Sequence, residues 1–153
     1  MTGLVTVSSV EEHEKLQSNI DDLFKRERYE DISRAIGIHS ILIDPQHTIH
    51  EQERLYRYVL DLIKKKINTQ DLKNYSSWLA SFPKLLSELV ASGKAVSDQR
   101  ASDALASRHD AFGPFRSLDD FYFWALDDRR LTLTDIMKYI QATLTLQYPR
   151  SER

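Results

Sequence analysis

Residues 44–66 read DPQHTIHEQERLYRYVLDLIKKK, and this stretch decides the fold class. Asp44-Pro45 supplies an N-cap followed by proline at the first helical position, where the missing N–H is not needed. Thr48 and Glu51 stand three apart as a capping box. Ile49, Leu55, Tyr56, Val59, Leu60 and Ile63 then recur every three to four positions, which is the period of one apolar helix face. Lys64, Lys65 and Lys66 close the run as a solvated end that complements the C-terminal dipole. A helix with such a stripe must bury it against other elements.

The neighbours on both sides read as helices too. Ser9-Val10-Glu11-Glu12 is a capping box opening a helix whose face carries Leu16, Ile20, Leu23 and Phe24. The phase breaks at Lys25-Arg26-Glu27-Arg28, because Tyr29, Ile32 and Ile36 fall on nearly the opposite side. A kink or a second helix is expected there, stopped by Gly37. Ile38–Ile43 (IHSILI) fits a buried strand or a helical turn. Downstream, Asn68 or Thr69 caps a helix with Leu72, Tyr75, Trp78 and Leu79, and Ser81-Phe82-Pro83 separates it from another over Leu85–Val90 that ends at Gly93. Residues 94–111 offer only Val96 and Leu105 as large apolar anchors and read as a loosely packed connection. Ser117-x-x-Asp120 and Thr132-x-x-Asp135 open two more helices, the last carrying Leu133, Ile136, Met137, Ile140 and Leu144 and ending at Pro149.

Composition agrees with this reading. The chain has 153 residues, with 41% hydrophobic and 29% charged, and only four glycines and four prolines. The expectation is an all-α fold: one compact bundle of six to eight helices, orthogonally packed, with little or no β-structure. Residues 1–8 form a flexible N-terminus, 9–148 the helical domain and 149–153 a tail. No cysteine is present, which excludes disulfides, thiolate metal sites and cysteine nucleophiles. A net charge of −2, with 21 basic and 23 acidic residues, gives no basic excess for phosphate contact. The N-terminus lacks the basic region of a secretory signal, and no apolar run is long enough to span a bilayer. A cytoplasmic or otherwise intracellular protein is expected, with no membrane association.

Phosphate-cradling glycine loops and the nucleophile elbow are both missing. His47 and His50, beside Glu51 and Glu53, are candidates for a metal-dependent hydrolase, but their order matches no zinc motif and they project from the polar side of the helix. Asp119-Asp120 and Asp127-Asp128 could converge on magnesium, or merely serve a helix dipole and Arg129 and Arg130. Glu30–Ile38 resembles the first helix and turn of a helix-turn-helix motif, with Gly37 at the corner, so a DNA-binding regulator over residues 29–47 is one alternative. Residues 24–67 hold nine basic and seven acidic side chains, a weak footprint for phosphate, and nucleic acid is the less favoured partner.

The densest signal is aromatic. Phe112, Phe115, Phe121, Tyr122, Phe123 and Trp124 fall within residues 112–124. Leu118, Phe121, Tyr122, Ala125 and Leu126 make one core face, which leaves Phe123 among Asp119, Asp120 and Asp127. Interfaces concentrate their energy in a few aromatic residues. The expectation is therefore a non-catalytic protein–protein interaction module, without cofactor or metal. It would be a small regulatory, adaptor or accessory protein of the sort encoded by viruses, phages or plasmids. Its candidate partner-binding residues are Phe115, Asp119, Asp120, Phe123, Trp124 and Asp127, and the partner is another protein or a second copy of the chain.

Overall fold

A computed structural model describes the backbone of residues 2–41, 45–70, 72–93, 96, 98–127 and 130–148, and the side chains among them outside 1–12 and 40–49. Among these residues there are seven helices and no strand: α1 (Thr2–Lys25), α2 (Tyr29–Ile41), α3 (Pro45–Asn68), α4 (Tyr75–Ser92), α5 (Gln99–Phe112), α6 (Leu118–Leu126) and α7 (Leu133–Gln147). The all-α class expected from the periodicity is the one observed. The chain gathers into two compact units, Met1–Lys66 and Ile67–Arg153.

In the first unit the phase break at Lys25–Arg28 is a real break between helices. The chain turns at Arg26 and Glu27, and Glu27 takes a left-handed φ of 60°. Each helix can then bury its own face: Ile20 and Phe24 on α1, Ile32 and Ile36 on α2. Three boundaries differ from the sequence expectation. α1 begins at Thr2, upstream of the Ser9 box. α2 runs through Gly37 to Ile41, so Gly37 is neither a helix stop nor a helix-turn-helix corner, and Ile38–Ile41 are helical. The remainder of IHSILI, Leu42 and Ile43, lies outside the described residues, as does Asp44. On α3, Pro45 opens the helix as expected, which places Thr48 inside it rather than at a cap. Leu55, Val59, Leu60 and Ile63 form its buried stripe.

Long polar side chains reach from α3 to the other two helices of this unit. The Tyr58 hydroxyl donates to Asp21 of α1. Burial and that carboxylate push its pKa up to about 12. Lys66 donates to Glu27 at 3.2 Å and to the Tyr29 hydroxyl at 3.1 Å, with its ammonium over the Phe24 ring at 5.4 Å. It is a packed cation and not the solvated end expected of the lysine run. Burial alone would lower its pKa, but the hydrogen bonds with Tyr29 and Glu27 outweigh that, and the net shift is upward.

The second unit is organised by α4, which packs against α5, α6 and α7. Pro83 does not divide this helix. α4 is continuous from Tyr75 to Ser92, and its buried face holds Trp78, Phe82, Leu85, Leu86 and Leu89. An interior proline costs about 3 kcal/mol. Burying a single large apolar side chain returns about 1.5–3 kcal/mol, and five line this face. Packing therefore overrides the proline. Gly93, with φ 70°, ends the helix as expected.

Trp78 and Phe82 stack edge-on at 5.6 Å, Phe82 meets Phe121 of α6 at 5.5 Å, and Phe121 meets Tyr139 of α7 at 6.4 Å. The indole N–H of Trp78 donates to Thr143 at 3.3 Å, which satisfies its polar edge inside the core. α5, in the 94–111 segment, is capped by Asp98 accepting from the Ala101 amide, and it buries Ala101 and Leu105. Ser117 and Thr132 cap α6 and α7 as expected, and Thr132 with Asp135 completes a full capping box. The five α7 residues expected on one face are all buried. Pro149 and the 149–153 tail lie outside the described residues.

Candidate functional site

The polar feature with most internal organisation is a cluster in the first unit. His13 comes from α1, His39 from α2 and Glu51 from α3, one residue from each helix. His13 Nδ1 and His39 Nε2 both bond to the same carboxylate oxygen, Glu51 Oε2, the latter at 3.2 Å. The His13, His39 and Glu51 side chains are 11%, 8% and 13% exposed. Water therefore cannot substitute freely for these contacts.

Arg54, one turn after Glu51, binds the other carboxylate oxygen at 3.3 Å and reaches His13 Nε2 at 3.1 Å. The Gln17 side-chain amide also approaches Nε2, at 3.0 Å. A guanidinium has donors only. In this network Nε2 therefore accepts, and the ring proton of His13 sits on Nδ1, where it donates to Glu51. Burial by itself would raise the Glu51 pKa. The hydrogen bonds of His13 and His39 and the charge of Arg54 outweigh it and hold the carboxyl below its usual range. Two imidazole nitrogens and a carboxylate on one point are a donor set for a divalent transition metal, and these donor atoms all lie within 4.8 Å of one another.

Glu51 belongs to the HTIHE stretch, but His50 is exposed and stands outside the cluster, and the His47 side chain lies outside the described residues. His13 and His39 were missed. A signal was available: His13 lies seven residues before Ile20, His39 three after Ile36 and Glu51 four before Leu55, so each continues the apolar face of its own helix.

The aromatic–acidic helix α6 is as the spacing predicted on its core side. Leu118, Phe121, Tyr122 and Ala125 are buried. Of the candidate partner-binding residues, Phe115 is core, 1% exposed, and its ring sits 5.5 Å from Phe121 and 5.3 Å from Trp124. That is a correction: the turn after Gly113 carries Phe115 inward. Phe123 is half-buried and packs edge-on against Tyr122 at 5.3 Å. Trp124 is half-buried, with the Arg130 guanidinium 5.5 Å from its ring.

Among the described residues, Asp119, Asp120 and Asp127 do not form a group that could hold a metal. Asp120 accepts from the Arg116 amide and lies 4.0 Å from Arg108, and Asp127 pairs with Arg130 at 3.3 Å. Asp119 is half-buried, and Asp128 and Arg129 lie outside the described residues.

Phe112 carries more exposed surface than any of the expected residues. It is 77% exposed at the C-terminus of α5. Arg108 lies 5.3 Å from its ring centroid and 4.3 Å from that of Phe115, and donates to the Gly113 carbonyl at 2.7 Å. Phe112, Arg108, Phe115, Trp124 and Arg130 thus form one connected run along the α5–α6 corner.

No protein-family model matches the chain, and no curated protein or solved structure matches it either. No helix among the described residues is long and apolar enough to cross a membrane. Fold and site together define an all-α protein of two helical units, one bearing a two-histidine carboxylate cluster and the other an aromatic–arginine surface.

Proposed function

We propose that this chain is a non-catalytic protein-interaction module, a small regulator, adaptor or accessory protein that docks another protein through the α5–α6 corner. The observation that carries the reading is Phe112, 77% exposed and yet positioned by Arg108, itself fixed on Phe115 and the Gly113 carbonyl. An exposed aromatic alone is ordinary. One held in place beside an arginine is a preorganised anchor, because less side-chain freedom is left to lose on docking and aromatic and arginine side chains dominate interface energies. Asp120, Asp127 and Arg130 supply a rim of both signs, suited to a partner that presents an apolar side chain flanked by charges.

Affinity purification from the native cell tests this by comparing the wild-type chain with Phe112→Ser at matched melting temperature. The reading requires a protein retained by the wild type and lost with the variant. Identical retained proteins, or none, would contradict it. Sedimentation of the pure chain separates a second copy from a foreign partner, since only self-association appears without other proteins.

A further inference from the structure

We propose that His13, His39 and Glu51 form a binding site for a divalent transition-metal ion of the zinc class, clamped between α1, α2 and α3. This is independent of the docking surface in the second unit. Imidazole nitrogen with carboxylate oxygen is the donor set such ions take. A tetrahedral ion with bonds of about 2.0–2.1 Å needs donors roughly 3.3 Å apart. The three donor atoms already lie within 4.8 Å of one another, so side-chain adjustment is enough to reach that spacing.

The orientation of Glu51 favours this use, because its Oε2 faces both histidines. A ligating histidine normally donates its remote N–H to an acceptor. His13 presents the opposite arrangement, with Gln17 and Arg54 donating to Nε2. Both can give way. The Gln17 amide can turn its oxygen toward the ring, and the Arg54 side chain is 67% exposed and able to swing into solvent. On binding, each imidazole carries its proton on the ring nitrogen away from the ion: that of His13 moves from Nδ1 to Nε2, where Gln17 accepts it in a hydrogen bond, and that of His39 moves from Nε2 to Nδ1, so that His13 Nδ1 and His39 Nε2 take the metal. Arg54 and the ion therefore compete for the cluster. Three protein donors leave a fourth position for water or for a group from another molecule.

The test is a zinc titration of the full chain without a histidine tag, in competition with a chromogenic chelator, alongside the absorption spectrum of the cobalt-substituted protein. One ion per chain is expected, with the ligand-field bands of tetrahedral cobalt. His13→Gln and His39→Gln should each weaken binding by about 100-fold or more, since even outer-shell partners change metal affinity by about 10–100-fold. His50→Gln should leave it unchanged, and Arg54→Ala should tighten it by about tenfold. Wild-type binding equal to that of His39→Gln, or an equal loss in His50→Gln, overturns the proposal. If the ligand variants fail to fold, the wild type and Arg54→Ala decide it: absence of tetrahedral cobalt bands, or no gain in Arg54→Ala, overturns it.

Discussion

Each unit buries an apolar core, and the two differ in what else joins their helices. In Ile67–Arg153, aromatic rings link α4, α6 and α7: Trp78 to Phe82, Phe82 to Phe121, Phe121 to Tyr139. In Met1–Lys66, polar side chains tie three helices at chosen points: Glu51 with two histidines, Tyr58 with Asp21, Lys66 with Glu27 and Tyr29. Apolar packing is non-directional and degrades by the volume removed. A buried polar cluster depends on every member, because a lost partner leaves the others desolvated and unpaired. Loss of one polar partner should therefore be felt by the whole cluster of the first unit, and loss of one ring in the second in proportion to its volume.

The largest expected effect sharpens the second half of that comparison. Trp78→Ala should destabilise the protein by about 3–5 kcal/mol, because Trp78 is fully buried, packs on Phe82 of its own helix and bonds across to Thr143 of α7; urea unfolding measures it. Next comes Glu51→Ala, expected to cost about 1–3 kcal/mol by stranding the partners of a buried acceptor. Its urea midpoint, in metal-free buffer, should fall clearly short of the tryptophan loss. Equal losses would break the distinction between the units.

Titration offers a smaller contrast of opposite sign. Tyr58 has a raised pKa of about 12, against 10.0 unperturbed. Its contribution is fully present below pH 10.0 and is lost as pH climbs toward 12. Tyr58→Phe should therefore flatten the alkaline limb of a stability–pH curve. His109 in the second unit is shifted the other way, by burial and then by Arg108, from 6.5 downward. There the unfolded chain binds the proton more readily, so stability falls as pH drops below 6.5. His109→Gln should remove that slope. The smallest effect is at the surface: Phe112→Ser should change stability by no more than about 0.5 kcal/mol, since the ring is 77% exposed.

Where local rules and packing agreed, the sequence was a sufficient guide. The α6 and α7 caps at Ser117 and Thr132, the buried face of α7 and the break before Tyr29 all follow from residue spacing. It misled where tertiary burial outweighed a local breaker, as at Gly37 and Pro83, because the energy that decides those positions lies in residues far along the chain. The boundary between the units lies inside α3, so no change of composition marks it. The histidine cluster was hidden for a related reason. His13 and Glu51 are 38 positions apart, and no motif spacing connects them. Only their places on the apolar faces marked them, as polar residues where a hydrophobe was due.

Photo-crosslinking from position 112 tests the proposed function most directly. With a photoreactive phenylalanine in place of Phe112, and at exposed Lys138 as a control, irradiation in the native cell should yield one defined protein adduct at 112 and none at 138. No adduct at 112, or the same adducts from both positions, would contradict the docking role assigned to the α5–α6 corner.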